Sequence, residues 1–159
     1  MKLASYVALF VSLGPYLFAA QPATRQVLTL EIAKQVAAAA SAEATANKWT
    51  VVIAILDEGG NLMYLERADD TQIGSIQVAQ EKAKSAVSFK RPTKVFEEAV
   101  AGGRTAILKL PGAMPVEGGL PLMLNGRVAG AIGVSGVTSQ QDGQIAKAGA
   151  DALAKIVAK

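Results

Sequence analysis

Helical and strand-like hydrophobic spacings alternate along this chain. After Thr29, the run LEIAKQVAAAASAEATANKW sets Leu30, Ala33, Ala37, Ala40 and Ala44 at helical intervals, with Ile32 and Val36 beside them. Thr29 stands where an N-cap hydroxyl is wanted. The pattern predicts a long helix with a broad, small-residue face. VVIAILD, residues 51–57, is continuously apolar and rich in β-branched residues, which predicts a strand buried on both sides. EGGN then turns the chain, and NLMYLER returns as the second strand of a hairpin.

Helical spacing resumes at residues 74–88, with Ile76, Ala79, Ala83 and Ala86 on the inward face. FKRP stops that helix, because a residue before proline avoids helical geometry. TKVFEEAVAGG reads as a shorter helix with Thr93 as its N-cap and Gly102 and Gly103 at its end. Asn125-Gly126 between two apolar runs is the strongest hairpin signal in the chain. Gly130 and Gly133 in the returning strand leave room for a helix backbone or a ligand. Thr138 and Gln141 form a capping box for a last helix at 139–158, whose apolar stripe is Ile145, Ala152, Leu153, Ile156 and Val157. Helix, hairpin, two helices, hairpin and helix in that order favour an α+β sandwich on an antiparallel sheet over a parallel nucleotide-binding fold.

The first twenty residues do not fit this scheme. MKLASYVALFVSLGPYLFAA has Lys2, an apolar stretch broken by Pro15, and the small pair Ala19-Ala20. A charged start, an apolar middle and a small-residue cleavage site mark a secretory signal at 1–20. The stretch is short for a membrane span, so no stable span is expected. Residues 21–27 read as a polar lead-in and 28–159 as a single domain, periplasmic or secreted.

Composition then removes chemistry. The chain has no cysteine and no histidine, so disulfides, thiolate nucleophiles, Ser-His-Asp triads and His-metal clusters are excluded. Half the residues, 51%, are apolar but only 5% are aromatic, so the core must pack through small side chains. Charge is skewed within the net +3: residues 82–109 hold seven cations against Glu97 and Glu98. A local basic field of this size suits a small anion rather than a long nucleic acid. Lys90, Arg91 and Lys94 surround the expected helix start at Thr93, where amides and helix dipole also favour an anion. Arg91 offers the planar fork that suits a carboxylate.

The stiff loop PGAMPVEGG, 111–119, carries one carboxylate, Glu117. Its glycine spacing is not that of a phosphate loop. Glu117 either faces a pocket, as a base or as a partner of Arg91 or Arg104, or holds the loop in place. Met63 and Met114 read as fillers of core or pocket, although a thioether can ligate haem iron.

LTLEIAKQVAAAA, VVIAILDEGGNLMYLERAD, GSIQVAQEKAKSA, KRPTKVFEEAVAGGRTAILKLPGAMPVEGGLPL and GRVAGAIGVSGVTSQQDGQIAKAGADAL, taken in order, resemble the GlcG/HbpS-like family, also called the haem-degrading domain family. The resemblance runs over about residues 28–156, and the PduO C-terminal domain is a more distant relative. It implies a profilin-like sandwich with an antiparallel sheet of about five strands flanked by helices. It also implies homo-oligomers and, for several members, a bound haem or related tetrapyrrole. Other members have no agreed reaction, so the family's name does not assign an enzyme. Where a relative places histidine on the metal, this chain has none, and iron would have to accept Met, Tyr, Lys or a weak oxygen ligand.

Three functions follow as expectations. The first is an exported, non-catalytic binder of a small anionic or planar ligand, haem above all. Lys82, Arg91, Thr93 and Arg104 would meet its acid groups, Glu117 would form a wall, and Met114 is a candidate for the iron. The second is an enzyme on a small carboxylate-bearing metabolite, with Glu117 as acid or base and Arg91 or Lys82 as clamp. The third is a structural module that builds an oligomer.

Overall fold

The computed structural model describes Pro22 and residues 25–157; the signal-peptide reading of 1–20 lies outside the described residues. The elements are α1 (Leu30–Ala46), β1 (Val52–Asp57), β2 (Leu62–Arg67), α2 (Gly74–Phe89), α3 (Lys94–Ala101), a 3-10 turn (Thr105–Lys109), β3 (Gly119–Leu124), β4 (Arg127–Ser135) and α4 (Ser139–Val157). Local chemistry sets most boundaries. The Thr29 hydroxyl accepts from the Ile32 amide at 3.2 Å and starts α1. Thr138 and Gln141 exchange hydrogen bonds ahead of α4, as a capping box should. Gly102 caps α3, and Gly103 takes the left-handed turn that follows.

The sheet is antiparallel, in the order β2-β1-β4-β3. Four strands form among the described residues, where about five were expected. β1 and β4 lie in the centre, which explains why VIAIL is buried on both faces. Val51, Ile53 and Ile55 point to one side, into a core with Val36, Ala37 and Ala40 of α1 and Ile145 and Leu153 of α4. Val52, Ala54 and Leu56 point to the other, against Ala79, Ala83 and Ala86 of α2. The result is an α+β sandwich with one sheet between helices. Leu30 was expected on the inner face of α1 but is half exposed, and Val36 takes the buried place.

Small residues decide how closely the layers approach. A methyl added at Gly133 would fall on the Ala79 carbonyl and the Ala83 amide of α2, and one at Gly130 on Leu56 and Leu28. The room left by both glycines is thus filled by backbone and core. Among the described residues, no helix is long and apolar enough to cross a membrane.

Candidate functional site

The residues expected to form a site are spread over several structures. Lys82 is almost fully buried, and its ammonium donates to Asp142 Oδ2 at 2.8 Å and to the Val134 carbonyl at 3.0 Å. It passes the start of β3, where Gly118 leaves it space: a Cβ there would strike Lys82 Nζ and Asp142. Burial pushes the Asp142 carboxyl up, and the Lys82 ammonium and the Val137 and Gly136 amides oppose that. Lys82 is therefore a link between α2 and α4, not a free cation facing a ligand. The sequence could not show this, because the partner lies 60 residues away.

Thr93 is also fully buried; it stands at the N-cap of α3 as expected, but its side chain makes no capping bond. Its backbone is already helical, and its hydroxyl accepts from the Gly119 amide at 2.9 Å while its own amide donates to the Gly119 carbonyl. Thr93 thus covers the free edge of β3, a better use of the hydroxyl in a dry place than a ligand contact. Arg91 is exposed, donates to the Phe89 carbonyl at 3.2 Å and lies 5.8 Å over the Phe96 ring. Arg104 is exposed at the head of the 3-10 turn.

Glu117 belongs to a tether. Its carboxylate accepts from Lys94 Nζ at 3.2 and 3.3 Å, and its amide donates to Glu97 Oε2. The other Glu97 oxygen accepts from the Ser139 hydroxyl at 2.9 Å, so the loop, α3 and the start of α4 are joined. Glu117 raises the Lys94 ammonium, first through the hydrogen bond and then through its charge. It lies directly over Gly143, where a Cβ would meet its carboxylate. Met114, partly buried, is fixed by its amide, which donates to the Ser85 hydroxyl at 3.0 Å.

A cleft of about 740 Å³ opens at the other end of β3, around the β3–β4 turn. Five residues, 118–122, separate Glu117 from Met123 on the cleft wall, a run of roughly 20 Å at the rise of a strand. Its walls are Val87 and Lys90 at the end of α2, Glu58 from the β1–β2 turn, and Arg25 and Gln26 ahead of α1. The hairpin supplies the remainder: Met123, Leu124, Asn125, Gly126, Arg127 and Val128. None of Lys82, Arg91, Thr93, Arg104, Met114 or Glu117 lines it.

α2 ends at Phe89, and Val87 and Lys90 at that end line the cleft together with the hairpin. A β-bulge between Leu122 and Met123 displaces the pairing, so Met123 faces Val128 and Ala129 is passed over. Leu122 and Leu124 stay in the core, and Met123 is left 45% exposed. Two non-glycine residues on the walls, Lys90 (φ 53°) and Asn125 (φ 47°), hold left-handed backbone. Asn125 is the first residue of an Asn-Gly turn that demands it. Lys90 is the C-cap of α2, where glycine is usual, and a β-carbon there costs about 1–2 kcal/mol. Among the described residues, Arg25, Lys90 and Arg127 have no carboxylate within ion-pairing distance. Sequence reading missed this cleft; lysine in place of a C-cap glycine was its one faint signal.

An antiparallel sheet held between helices, with a cationic cleft beside its hairpin, defines a ligand-sized α+β sandwich. Residues 28–151 match the family model described as "Haem degrading protein HbpS-like", and the chain belongs to that family. It is 44% identical to protein GlcG of Escherichia coli strain K12 over 112 residues, 70% of this chain and 84% of that protein. A double mutant of HbpS from Streptomyces reticuli superposes with a TM-score of 0.72 at 33% identity, covering 84% of this chain and 96% of that one. The PduOC:heme complex gives a TM-score of 0.72 at 27% identity, covering 80% and 95%.

Proposed function

We propose that this protein is an exported binder of haem or a related tetrapyrrole that does not itself catalyse a reaction. The observation that carries the reading is the shared fold with a relative whose structure is a haem complex, over four-fifths of this chain. The chemistry of the chain is compatible with such a guest. Free cations are present for acid groups, and thioethers are the soft iron donors left in a sequence without His or Cys. Of the cations expected to grip propionates, Arg91 and Arg104 are exposed, whereas Lys82 is committed to Asp142. Glu117 is occupied by Lys94, which favours its reading as a loop tether over an acid or base.

A homo-oligomer is part of the proposal. Val95 on α3 and Leu108 and Leu110 around the 3-10 turn are large apolar side chains left in water, and a second copy would cover them. The test of function is a haem titration of the chain beginning at Gln21, followed by absorbance. Saturable binding with a stable spectrum in the presence of reductant is expected. No saturation would remove haem as the ligand, and steady loss of the haem bands under reductant would make the protein an enzyme.

A further inference from the structure

We infer that the tetrapyrrole sits in the cleft at the β3–β4 turn, with Met123 as the donor toward its iron and Lys90 and Arg127 as the partners of its acid groups. This rests on the reading of the chain as a haem-class binder. It moves the site from the loop at 111–119 to the opposite end of β3.

The first observation is the choice of donor. Soft ligation must come from methionine here, and three methionines lie among the described residues. Met63 packs against the core, and Met114 is held partly buried beside Ser85. Met123 alone of the three is exposed, and it projects from the wall of a cavity. Strand alternation, which buries Leu122 and Leu124 on the core side, sets Met123 on the opposite face beside Val128.

Shape and polarity agree with that donor. A volume of about 740 Å³ lies in the range of roughly 300–1,000 Å³ typical of small-molecule pockets. Val87, Val128 and Met123 supply apolar wall for a flat ring, while Arg25, Lys90 and Arg127 supply charge. Glu58 is the one carboxylate on the wall, outnumbered by three cations. An anionic guest would satisfy those cations, which find no carboxylate partner among the described residues.

Lys90 adds a third, independent argument. A glycine at this helix end would avoid the left-handed strain, yet the chain keeps a long cation there and aims it at the cleft. Strain retained at a cavity wall is what a ligand contact would explain.

The experiment titrates haem and iron-free protoporphyrin into the chain beginning at Gln21 and into five variants: Met123→Ala, Arg127→Ala, Lys90→Gly, Met114→Ala and Arg91→Ala. Met123→Ala should shift the iron-sensitive absorbance bands of haem and weaken haem more than iron-free porphyrin, which loses only wall contact. Arg127→Ala and Lys90→Gly should each weaken both ligands roughly ten-fold, the scale of one charge-assisted hydrogen bond. Lys90→Gly should keep or raise the urea midpoint, so that its loss of binding is not a loss of fold. Met114→Ala and Arg91→Ala should bind like wild type. If wild type binds but the losses fall on Met114→Ala or Arg91→Ala and spare the three cleft variants, the cleft is not the site, although the haem reading stands. If wild type binds neither ligand, the haem reading itself fails.

Discussion

Nζ of Lys82 lies 2.8 Å from Oδ2 of Asp142, and both side chains are shielded from water, at 1% and 3% exposure. One residue comes from the middle of α2, the other from the first turn of α4, and the pair joins the two helical layers at the start of β3. A buried pair is sensitive to the loss of one member, because the other charge is left without compensation. Lys82→Ala should lower the unfolding free energy by about 3–5 kcal/mol. The double variant Lys82→Met/Asp142→Leu should recover most of it. Urea denaturation measures both; a double variant no better than the single would show that the pair does more than neutralise charge. Folded Lys82→Ala should still bind ligand, since Lys82 lines no part of the cleft.

Asp57 contributes to the acid limb of stability. Burial acts to raise its carboxyl, but the Asn61 amide and side chain and the Gly59 and Gly60 amides outweigh it, and the net shift is below 3.8. A depressed carboxylate contributes stability above the unfolded value of 3.8, and that contribution is lost as pH falls through the lower folded value. Asp57→Asn should therefore flatten the decline in urea midpoint below pH 3.8. Parallel profiles for wild type and variant would contradict it. Asp142, pushed up by burial, has the opposite sign: its contribution is fullest below 3.8 and falls as pH rises.

Gly133 is a packing glycine. A methyl there meets the backbone of α2, which cannot rotate away as a side chain can. Gly133→Ala should cost about 1–3 kcal/mol, the scale of overpacking a core. Gly74→Ala provides a control for clash, since nothing lies within 4 Å of its added methyl and its backbone is not left-handed. A loss at Gly133 no larger than at Gly74 would show that α2 yields freely.

Much of the fold was legible because its signals are local. Asn125-Gly126 is the turn of a hairpin, Thr29 caps α1, and the unbroken VIAIL run lies in the centre of the sheet. The 3-10 turn at Thr105–Lys109 was not foreseen, because five residues carry no readable period. The candidate site was much less legible. Lys82 and Thr93 looked like ligand groups because charge and hydroxyl are visible in a sequence, whereas their partners, Asp142 and Gly119, are set by tertiary contact. Glu117 was read as pocket wall or tether; the tether is what its bonds to Lys94 describe. The cleft forms where the end of α2, the β1–β2 turn, the segment ahead of α1 and the β3–β4 hairpin meet, and that tertiary meeting has no residue signature.

Export is tested by sequencing the N-terminus of protein recovered from the periplasm or medium of a bacterial host. Lys2, the apolar stretch and Ala19-Ala20 predict a chain that begins near Gln21. A cytoplasmic product still beginning at Met1 would contradict the prediction.

The most direct measurement is native mass spectrometry of the protein purified from its own host. The predicted spectrum shows a multiple of the monomer mass carrying a retained small molecule, released on denaturation with the mass of haem or another tetrapyrrole. A strictly monomeric chain with no retained molecule, or an oligomer that releases a small non-tetrapyrrole acid, would contradict the account.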